Sequence, residues 1–281
     1  MNPHLQHTMV AIDKERRMTE FDGQVILVTG AGSGIGRGLT TRLLQAGAAV
    51  GAIDWDPRGL ESLRHEFGSQ CLATAVADVA DVQQLFATVR RLESELGPTD
   101  RLIANAGIGM ATGFWQFNPS DFTSVIRVNL LGVANSVAAV LPGMMQRRRG
   151  TIGGISSLAS YRGLPLMSAY CHSKRGVHGK LESLAVDVAP FDIQVTTICP
   201  GWIRTPLTQS VQLRMPGILE LDTAVERILA AIARRKRHAA FPRRTAMVVR
   251  LLGWLPPAWS DWLIGRRFHR NRPDPGTVAG S

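Results

Sequence analysis

The sequence predicts an α/β fold built on a parallel sheet in one large domain, and three observations support this. Short apolar runs alternate with stretches of helical periodicity from residue 24 onward, an order typical of parallel sheets with right-handed crossovers. The first apolar run leads directly into a glycine-rich turn. Small or acidic residues follow several of the runs, at the strand ends where such sheets bind their ligands.

The composition is that of an ordinary globular protein with an excess of positive charge. Of the 281 residues, 45% are hydrophobic and 19% are charged, and the formal net charge is +10. The basic runs are dispersed and no recognised nucleic-acid motif accompanies them, so nucleic-acid binding is not expected. Residues 1–22 are predicted to be a polar N-terminal extension, without the apolar segment of a signal peptide.

Cysteine usage and hydropathy indicate a cytoplasmic protein. Cys71, Cys171 and Cys199 are far apart and lack metal-ligand spacing. Such a sparse, odd set indicates reduced thiols, and no metal site is expected. No stretch of 18 uncharged apolar residues is present, so no membrane-spanning helix is predicted.

The glycine-rich turn indicates a site for a dinucleotide pyrophosphate. Gln24–Thr29 is predicted to be a strand buried on both faces. It is followed by Gly30-Ala31-Gly32-Ser33-Gly34-Ile35-Gly36 and then by a helical pattern, Arg37–Ala46. This order aims backbone N–H groups and a helix N-terminus at phosphate, and glycines permit its close approach. A tight strand–helix turn without a ligand is the alternative.

An acidic residue at the end of the second strand favours NAD over NADP. Ala48–Ile53 is predicted to be this strand, and Asp54 follows it, 18 residues beyond Gly36. A carboxylate at about that distance accepts from ribose hydroxyls and repels a 2′-phosphate. NADP stays open, because Arg37 or Arg58 would accommodate the phosphate, and Asp54 also suits a plain turn.

The remaining elements continue the alternation. Further strands are predicted at Cys71–Val79, Asp100–Ala104, Thr151–Ser156, Ile193–Cys199 and His238–Phe241. Further helices are predicted at Asp81–Leu96, Ser120–Gln146, Ser168–Ala189 and Thr223–Arg235. The long helix is expected to break near Pro142 and Gly143. The apolar stretch Thr208–Leu221 would suit a mobile flap over a site.

One helix carries a candidate acid–base pair. Tyr170 and Lys174 are four residues apart, so both side chains leave the same helix face one turn apart. A phenol donates a proton usefully if its pKa of roughly 10 falls toward working pH, and a neighbouring ammonium lowers it. Alone the pair is a weak signal, because a solvated surface pair has the same spacing.

Six motifs in one order show that the chain resembles the short-chain dehydrogenase/reductase family from residue 23 to about 242. The motifs are Thr29-Gly30-x-x-x-Gly34-Ile35-Gly36, Asn105-Ala106-Gly107, Asn129, Ser157, Tyr170-x-x-x-Lys174 and Pro200-Gly201-x-x-x-Thr205. The resemblance implies a single-domain, Rossmann-type doubly wound sheet of seven parallel strands. It also implies hydride transfer between NAD(H) and an alcohol/ketone pair.

The resemblance implies four catalytic roles. Tyr170 would be the acid–base, and Lys174 would lower its pKa and bind the nicotinamide ribose. Ser157 would hydrogen-bond the same substrate oxygen as charge develops on it. Asn129 would hold a water that links Lys174 to solvent.

The resemblance also assigns the cofactor contacts. The pyrophosphate would lie against Gly30, Ser33, Gly34, Ile35 and Gly36. The adenosine would lie against Asp54, Asp78 and Val79, and Asn105, Ala106 and Gly107 would pack beside the cofactor. The nicotinamide would be held by Tyr170, Lys174, Pro200, Gly201, Ile203 and Thr205.

The substrate and the partners are less sharply predicted. The apolar segments Ile108–Phe114, Leu158–Leu164 and Trp202–Leu221 favour a bulky hydrophobic molecule. Family precedent suggests a homodimer or homotetramer. A catalytically silent NAD(P)-binding regulatory or structural protein on the same fold is the alternative.

Residues 243–281 form a basic tail beyond the part that resembles the family. Ala246–Phe268 comprises two apolar segments joined at Pro256 and Pro257, rich in tryptophan and flanked by arginine. One interpretation is a hairpin that packs on its own domain or on a partner subunit. The other is a peripheral membrane anchor, since tryptophan and arginine suit the lipid headgroup layer. The two interpretations have equal weight.

Overall fold

In the computed structural model, residues 19–110, 112, 117–209 and 217–269 are described. Their centre is a sheet of seven parallel strands in the order β3-β2-β1-β4-β5-β6-β7. The strands are β1 (Val25–Thr29), β2 (Ala49–Asp54), β3 (Leu72–Val76), β4 (Arg101–Ala104), β5 (Gly150–Ile155), β6 (Ile193–Pro200) and β7 (His238–Phe241). The predicted Rossmann-type parallel sheet is confirmed, and each strand lies within three residues of its predicted bounds.

Helices cover both faces of the sheet. They are α1 (Gly34–Gln45), α2 (Pro57–Phe67), α3 (Val82–Leu96), α4 (Pro119–Ile126), α5 (Gly132–Arg147), α6 (Ser168–Asp187), α7 (Pro206–Gln209), α8 (Leu221–Ala233), α9 (Arg243–Trp254) and α10 (Pro257–His269). One hydrophobic core joins α1, α2 and α8 to the sheet, and a second joins α3, α5 and α6. This is the doubly wound arrangement, with the carboxyl ends of all seven strands at one edge.

The long helix predicted over Ser120–Gln146 differs from expectation in two ways. It begins at Pro119, capped by the side chain of Asn118, and a π-helical segment, Arg127–Leu131, separates α4 from α5. The predicted break near Pro142 is wrong, because α5 continues through this proline to Arg147. Val140 and Met144 are buried on either side of it, and their packing offsets the cost of proline inside a helix.

The same helical stretch, Pro119–Arg147, has the length and composition of a membrane-crossing helix, with a mean hydropathy of 1.6 in its most apolar window. Val133, Val137 and Val140 of α5 are buried in the second core, against the sheet. The apolar character of the stretch is therefore that of a helix in a packed layer.

The predicted flap is described only in part. α7 and the segment from Gly217 to Glu220 are described, whereas 210–216 lie outside the described residues. Leu219 pairs with Ile203 in a short parallel bridge, and the backbone N–H of Leu219 donates to the carbonyl of Trp202 at 2.9 Å. The bridge ties the end of this segment to the chain leaving β6.

Candidate active site

The glycines of the first turn are required by close backbone approaches. Gly30 has a φ of +67°, and a Cβ on it would lie 2.8 Å from the Cα of Ala106. A Cβ on Gly36 would lie 1.8 Å from the carbonyl oxygen of Gly30. Only glycine fits at either position, so the turn holds α1 directly against the end of β1.

The N-terminus of α1 is open toward the strand ends. Ser33 is its N-cap residue but makes no side-chain capping hydrogen bond, and the first N–H groups of a helix have no partner within it. A Cβ on Gly34 would meet the side chain of Thr205 at 3.6 Å. Ser33, Gly34, Ile35 and Thr205 thus border a cradle that suits a pyrophosphate.

The Asp54 carboxylate lies at the end of β2 beside this cradle. It is only 7% exposed, and its oxygens accept from the backbone N–H groups of Gly32 at 2.7 Å and Asp56 at 3.0 Å. The nearby arginines are engaged elsewhere: Arg37 pairs with Glu66 at 2.8 Å and Arg58 with Asp56 at 2.7 Å. An acidic group, rather than a cation, therefore lies at the end of β2, where the adenosine ribose is predicted.

The ends of β3 and β4 supply the next predicted cofactor contacts. Asp78 is exposed and accepts from the N–H of Ala80 at 2.8 Å, while Val79 is buried. The Asn105 side chain donates to the carbonyl oxygens of Thr29 at 3.0 Å and Gly30 at 3.2 Å. Asn105 therefore fixes the glycine turn from behind.

Thr29 belongs to this arrangement although the sequence singled it out only as part of a motif. Its hydroxyl accepts from the backbone N–H groups of Asn105 at 3.0 Å and Ala106 at 3.1 Å. A buried threonine at the end of a strand that enters a glycine turn is the signal that would have identified it. The hydroxyl locks the ends of β1 and β4 together.

The chain leaving β6 is held by backbone contacts. The N–H of Gly201 donates to the carbonyl of Phe241 at 2.7 Å, and Ile203 is buried. The Thr208 hydroxyl donates to the Ile203 carbonyl at 2.7 Å and accepts from the N–H of Thr205 at 3.0 Å. Pro200 to Thr205 thus forms a firm wall where the nicotinamide carboxamide is expected.

The hydroxyl groups of Ser157 and Tyr170 meet at the end of β5. The Ser157 Oγ accepts from the N–H of Ala159 at 3.1 Å. Burial raises the pKa of Tyr170 to about 12, although the nearby Ser157 side chain acts in the opposite direction. The two hydroxyls are placed to contact one substrate oxygen.

Lys174 lies one helix turn from Tyr170 and is 3% exposed. Its Nζ donates to the carbonyl of Ile155 at 2.9 Å and lies 5.7 Å from the centroid of the Tyr170 ring. Burial lowers the pKa of Lys174 to about 8. Burial is the main influence on the pKa of Tyr170 in this structure and raises it, so the lowering of that pKa by Lys174 stays a prediction.

Ser156 supports the lysine and was not predicted. Its hydroxyl donates to the carbonyl of Lys174 at 2.9 Å, and its backbone N–H donates to Ile198 at 2.7 Å. The position of Ser156 directly before Ser157 is the sequence feature that could have identified it. Ser156 thus joins α6 to the ends of β5 and β6.

Asn129 lies in the π-helical segment and is fully buried. Its side chain accepts from the N–H of Ile108 at 2.8 Å and donates to the carbonyl of the same residue at 2.9 Å. It also donates to the Ser173 hydroxyl at 3.1 Å. The amide is therefore occupied in clamping the segment after β4 to α6.

All four predicted catalytic residues lie in one place. A Cβ on Gly107 would contact both the Asn129 Oδ1 at 3.2 Å and the Lys174 Nζ at 3.5 Å, so these two groups flank the same glycine. Tyr170 lies beside Lys174, and Ser157 is close enough to Tyr170 to influence its pKa. Acid–base transfer to a carbonyl or hydroxyl oxygen is the chemistry that this set can perform.

Apolar side chains border the two hydroxyls. Leu164, Trp202 and Tyr170 pack against a small cluster that contains Met167. A Cβ on Gly109 would lie 3.3 Å from the side chain of Leu207, so the segments after β4 and β6 face each other. Residues 111, 113, 114 and 210–216 of the predicted lining lie outside the described residues.

Comparison with known proteins places this site in a family. The family model of short chain dehydrogenases matches residues 24–215. An uncharacterized oxidoreductase of Myxococcus xanthus is 37% identical over 85% of this chain and 95% of its own. Levodione reductase of Leifsonia aquatica is 31% identical over 83% of this chain and 89% of its own.

A solved structure agrees. The short chain dehydrogenase/reductase of Burkholderia phymatum in complex with NAD superposes with a TM-score of 0.75 and 25% identity, covering 83% of this chain and 93% of that one. The glycine turn, the open helix N-terminus and the acidic end of β2 fit such a dinucleotide. The chain therefore belongs to the short-chain dehydrogenase/reductase family of oxidoreductases and binds NAD(P).

Proposed function

We propose that this oxidoreductase transfers a hydride between NAD(H) and a bulky, hydrophobic secondary alcohol or ketone. The observation that carries the proposal is the gathering of Ser157, Tyr170 and the buried Lys174 at the end of β5. Leu164, Met167 and Trp202 form the apolar surroundings, which suit a hydrophobic substrate.

In reduction, Tyr170 donates its proton to the substrate oxygen, and in oxidation it takes a proton from the alcohol. Ser157 donates a hydrogen bond to the same oxygen and stabilises the charge that develops there. The nicotinamide supplies or accepts the hydride. A phenol with a pKa near 12 is protonated at neutral pH, as the reductive direction requires.

Lys174 has a different task from Tyr170. With a pKa of about 8, its amine exchanges a proton near neutral pH, so it can resupply a proton toward Tyr170. Lys174 would also hold the ribose hydroxyls of a bound nicotinamide nucleotide. Asn129 positions these groups by clamping Ile108 and Ser173, and the holding of a water by Asn129 stays a prediction.

We further propose that NAD is preferred over NADP. The buried Asp54 carboxylate faces the ribose position, and Arg37 and Arg58 are paired with acidic partners. Asp54→Asn keeps an oxygen for the N–H of Gly32 but removes the charge. The ratio of KM for NADPH to KM for NADH should exceed one in the wild type and fall about tenfold in Asp54→Asn. An unchanged ratio would reject this role.

The proposal extends to the oligomeric state and the cellular location of the protein. We propose a homodimer or homotetramer, since Leu131 and Val186 leave apolar surface exposed on the π-helical segment and on α6. We propose a cytoplasmic protein, consistent with three free cysteines. Peripheral membrane contact through the C-terminal helices would bring it to a hydrophobic substrate.

The test is a panel of alcohols and ketones, graded from small and polar to large and apolar, followed by absorbance with NADH and NADPH in parallel. We expect turnover that rises with the apolar size of the substrate. Tight cofactor binding without turnover on any member would instead indicate the silent, cofactor-binding alternative.

A further inference from the structure

The two C-terminal helices turn their large apolar side chains away from the rest of the protein. On α9 and α10 these residues are between 42% and 88% exposed. Together they form what we call the outer face: Met247, Val248, Leu251, Trp254, Trp259, Trp262 and Leu263. Large apolar side chains gathered on one surface mark a binding surface, whereas isolated ones would need no explanation.

Three residues of the same helices, Arg250, Gly253 and Asp261, contact the rest of the protein. The Arg250 guanidinium donates to the Tyr161 hydroxyl at 3.1 Å and lies 4.9 Å from the centroid of that ring. A Cβ on Gly253 would lie 2.9 Å from the Tyr161 carbonyl oxygen, and Asp261 pairs with Arg162. These contacts fix the orientation of both helices, so the outward direction of the apolar residues is specified.

The outer face has a cationic border. Residues 243–272 contain seven arginines and a single aspartate, and that aspartate pairs with Arg162. Arg243, Arg244 and Arg266 are exposed, and the Arg266 guanidinium lies 5.4 Å from the centroid of the Trp262 ring. Tryptophan and arginine together are typical of surfaces that settle in a lipid headgroup layer.

A groove of ≈ 470 Å³ opens beside the outer face, between α9 and β7. Ala240, Met247, Leu251 and Trp254 line it together with the polar residues His238, Arg243 and Arg250. Apolar side chains beside two arginines suit an acyl chain joined to an anionic headgroup.

We propose that the outer face docks the protein on a membrane surface that contains anionic phospholipid. The tryptophans would enter the headgroup region, and the arginines would contact the lipid phosphates. A second copy of the chain is the less suitable occupant, because a two-fold contact would bring two arginine borders together. The proposal assigns residues and lipid chemistry to the membrane contact proposed above, and no catalytic step enters it.

Vesicle flotation of the full-length protein tests this surface. The wild type should float with vesicles of phosphatidylcholine and phosphatidylserine, and much less with phosphatidylcholine alone. The triple variant Trp254→Ser, Trp259→Ser, Trp262→Ser should bind the vesicles at least about tenfold more weakly than the wild type. It loses exposed apolar area but little packing within the protein. Arg243→Gln and Arg244→Gln should each lower partitioning about fivefold, and added salt should weaken wild-type binding.

Trp55→Ser is the matched control. Trp55 is 74% exposed, but it follows β2, near the opposite edge of the sheet from β7, so this change should leave flotation unaltered. Equal flotation of the wild type and the triple variant would overturn the proposal. It would also fall if the wild type did not float while the triple variant changed the sedimentation coefficient, since a second copy would then cover the face. Hydride transfer is measured separately, so failure here leaves the proposed reaction untouched.

Discussion

Two regions of the protein differ from the usual pattern of burial, and they differ in opposite ways. The catalytic end of the sheet buries polar side chains, whereas the two C-terminal helices expose large apolar ones. At the catalytic end, Asn129 is fully buried and Lys174 is 3% exposed. On α9, Trp254 is 88% exposed. Polar groups are usually outside and large apolar groups inside, so both regions carry a cost that packing alone does not explain.

The contrast shows how each cost is met. The buried amide and amine have hydrogen-bond partners inside the chain, on Ile108, Ser173 and Ile155. The exposed tryptophans instead leave apolar surface in water, and contact with a molecule outside the chain would remove that surface from water. Buried titratable groups with altered pKa values indicate chemistry, and exposed apolar surface indicates association. The two regions should therefore respond to different experiments.

The largest effect should come from the catalytic end. Tyr170→Phe removes the hydroxyl that donates the proton and keeps the ring, so kcat should fall about 10²–10⁴-fold. The Kd for NADH, measured by fluorescence titration, should stay near the wild-type value, as should vesicle flotation. If the variant turned over substrate at the wild-type rate, Tyr170 would not be the proton donor.

The second effect is a pH dependence of stability. The pKa of Lys174 is about 8 in the folded chain, below the ordinary lysine value of 10.5, so unfolding takes up a proton between these pH values. The free energy of unfolding should therefore rise with pH above 8, by up to about 3 kcal/mol for this group. Tyr170, whose pKa is raised from 10.0 to about 12, acts in the opposite sense above pH 10.

Urea denaturation of Lys174→Met and of the wild type, between pH 7 and pH 10, measures the contribution of Lys174 to the pH dependence of stability. The variant should be the more stable protein at pH 7, and its advantage should shrink as the pH rises toward 10. A difference that does not change with pH would mean that Lys174 is not held in a site that disfavours its charge.

The smallest effect concerns the docking of α9. Gly253→Ala places a methyl group against the Tyr161 carbonyl, whereas Gly179 of α6 has nothing within 4 Å of an added Cβ. Gly179→Ala should raise the free energy of unfolding by about 0.5–1 kcal/mol, and Gly253→Ala should lower it by about 1 kcal/mol. Thermal unfolding of both variants gives the comparison, and equal gains would show that α9 does not pack closely on Tyr161.

Much of the fold follows from the order of the sequence. His238–Phe241 matches the predicted last strand, and β2 to β6 differ from prediction by a few residues at most. The π-helical segment Arg127–Leu131 could not be predicted, because it depends on Asn129 reaching Ile108 across the fold. The continuity of α5 through Pro142 depends likewise on tertiary packing that no local pattern carries.

The site was predictable as a set of residues but not as an electrostatic environment. The motif order indicated Tyr170, Lys174 and Ser157, and the structure places them together. The raised pKa of Tyr170 could not be read from the sequence, because the depth of burial follows from the packing of whole elements. The two apolar segments of the tail were visible, but their outward orientation depends on Arg250 and Gly253 meeting Tyr161.

The most direct measurement of the shared substrate oxygen is a double-mutant cycle on kcat/KM with Tyr170→Phe and Ser157→Ala. If both hydroxyls act on one oxygen, the double variant should lose little more than the worse single variant. If instead the loss of kcat/KM in the double variant equalled the product of the two single losses, the hydroxyls would act independently. That result would contradict their contact with one substrate oxygen.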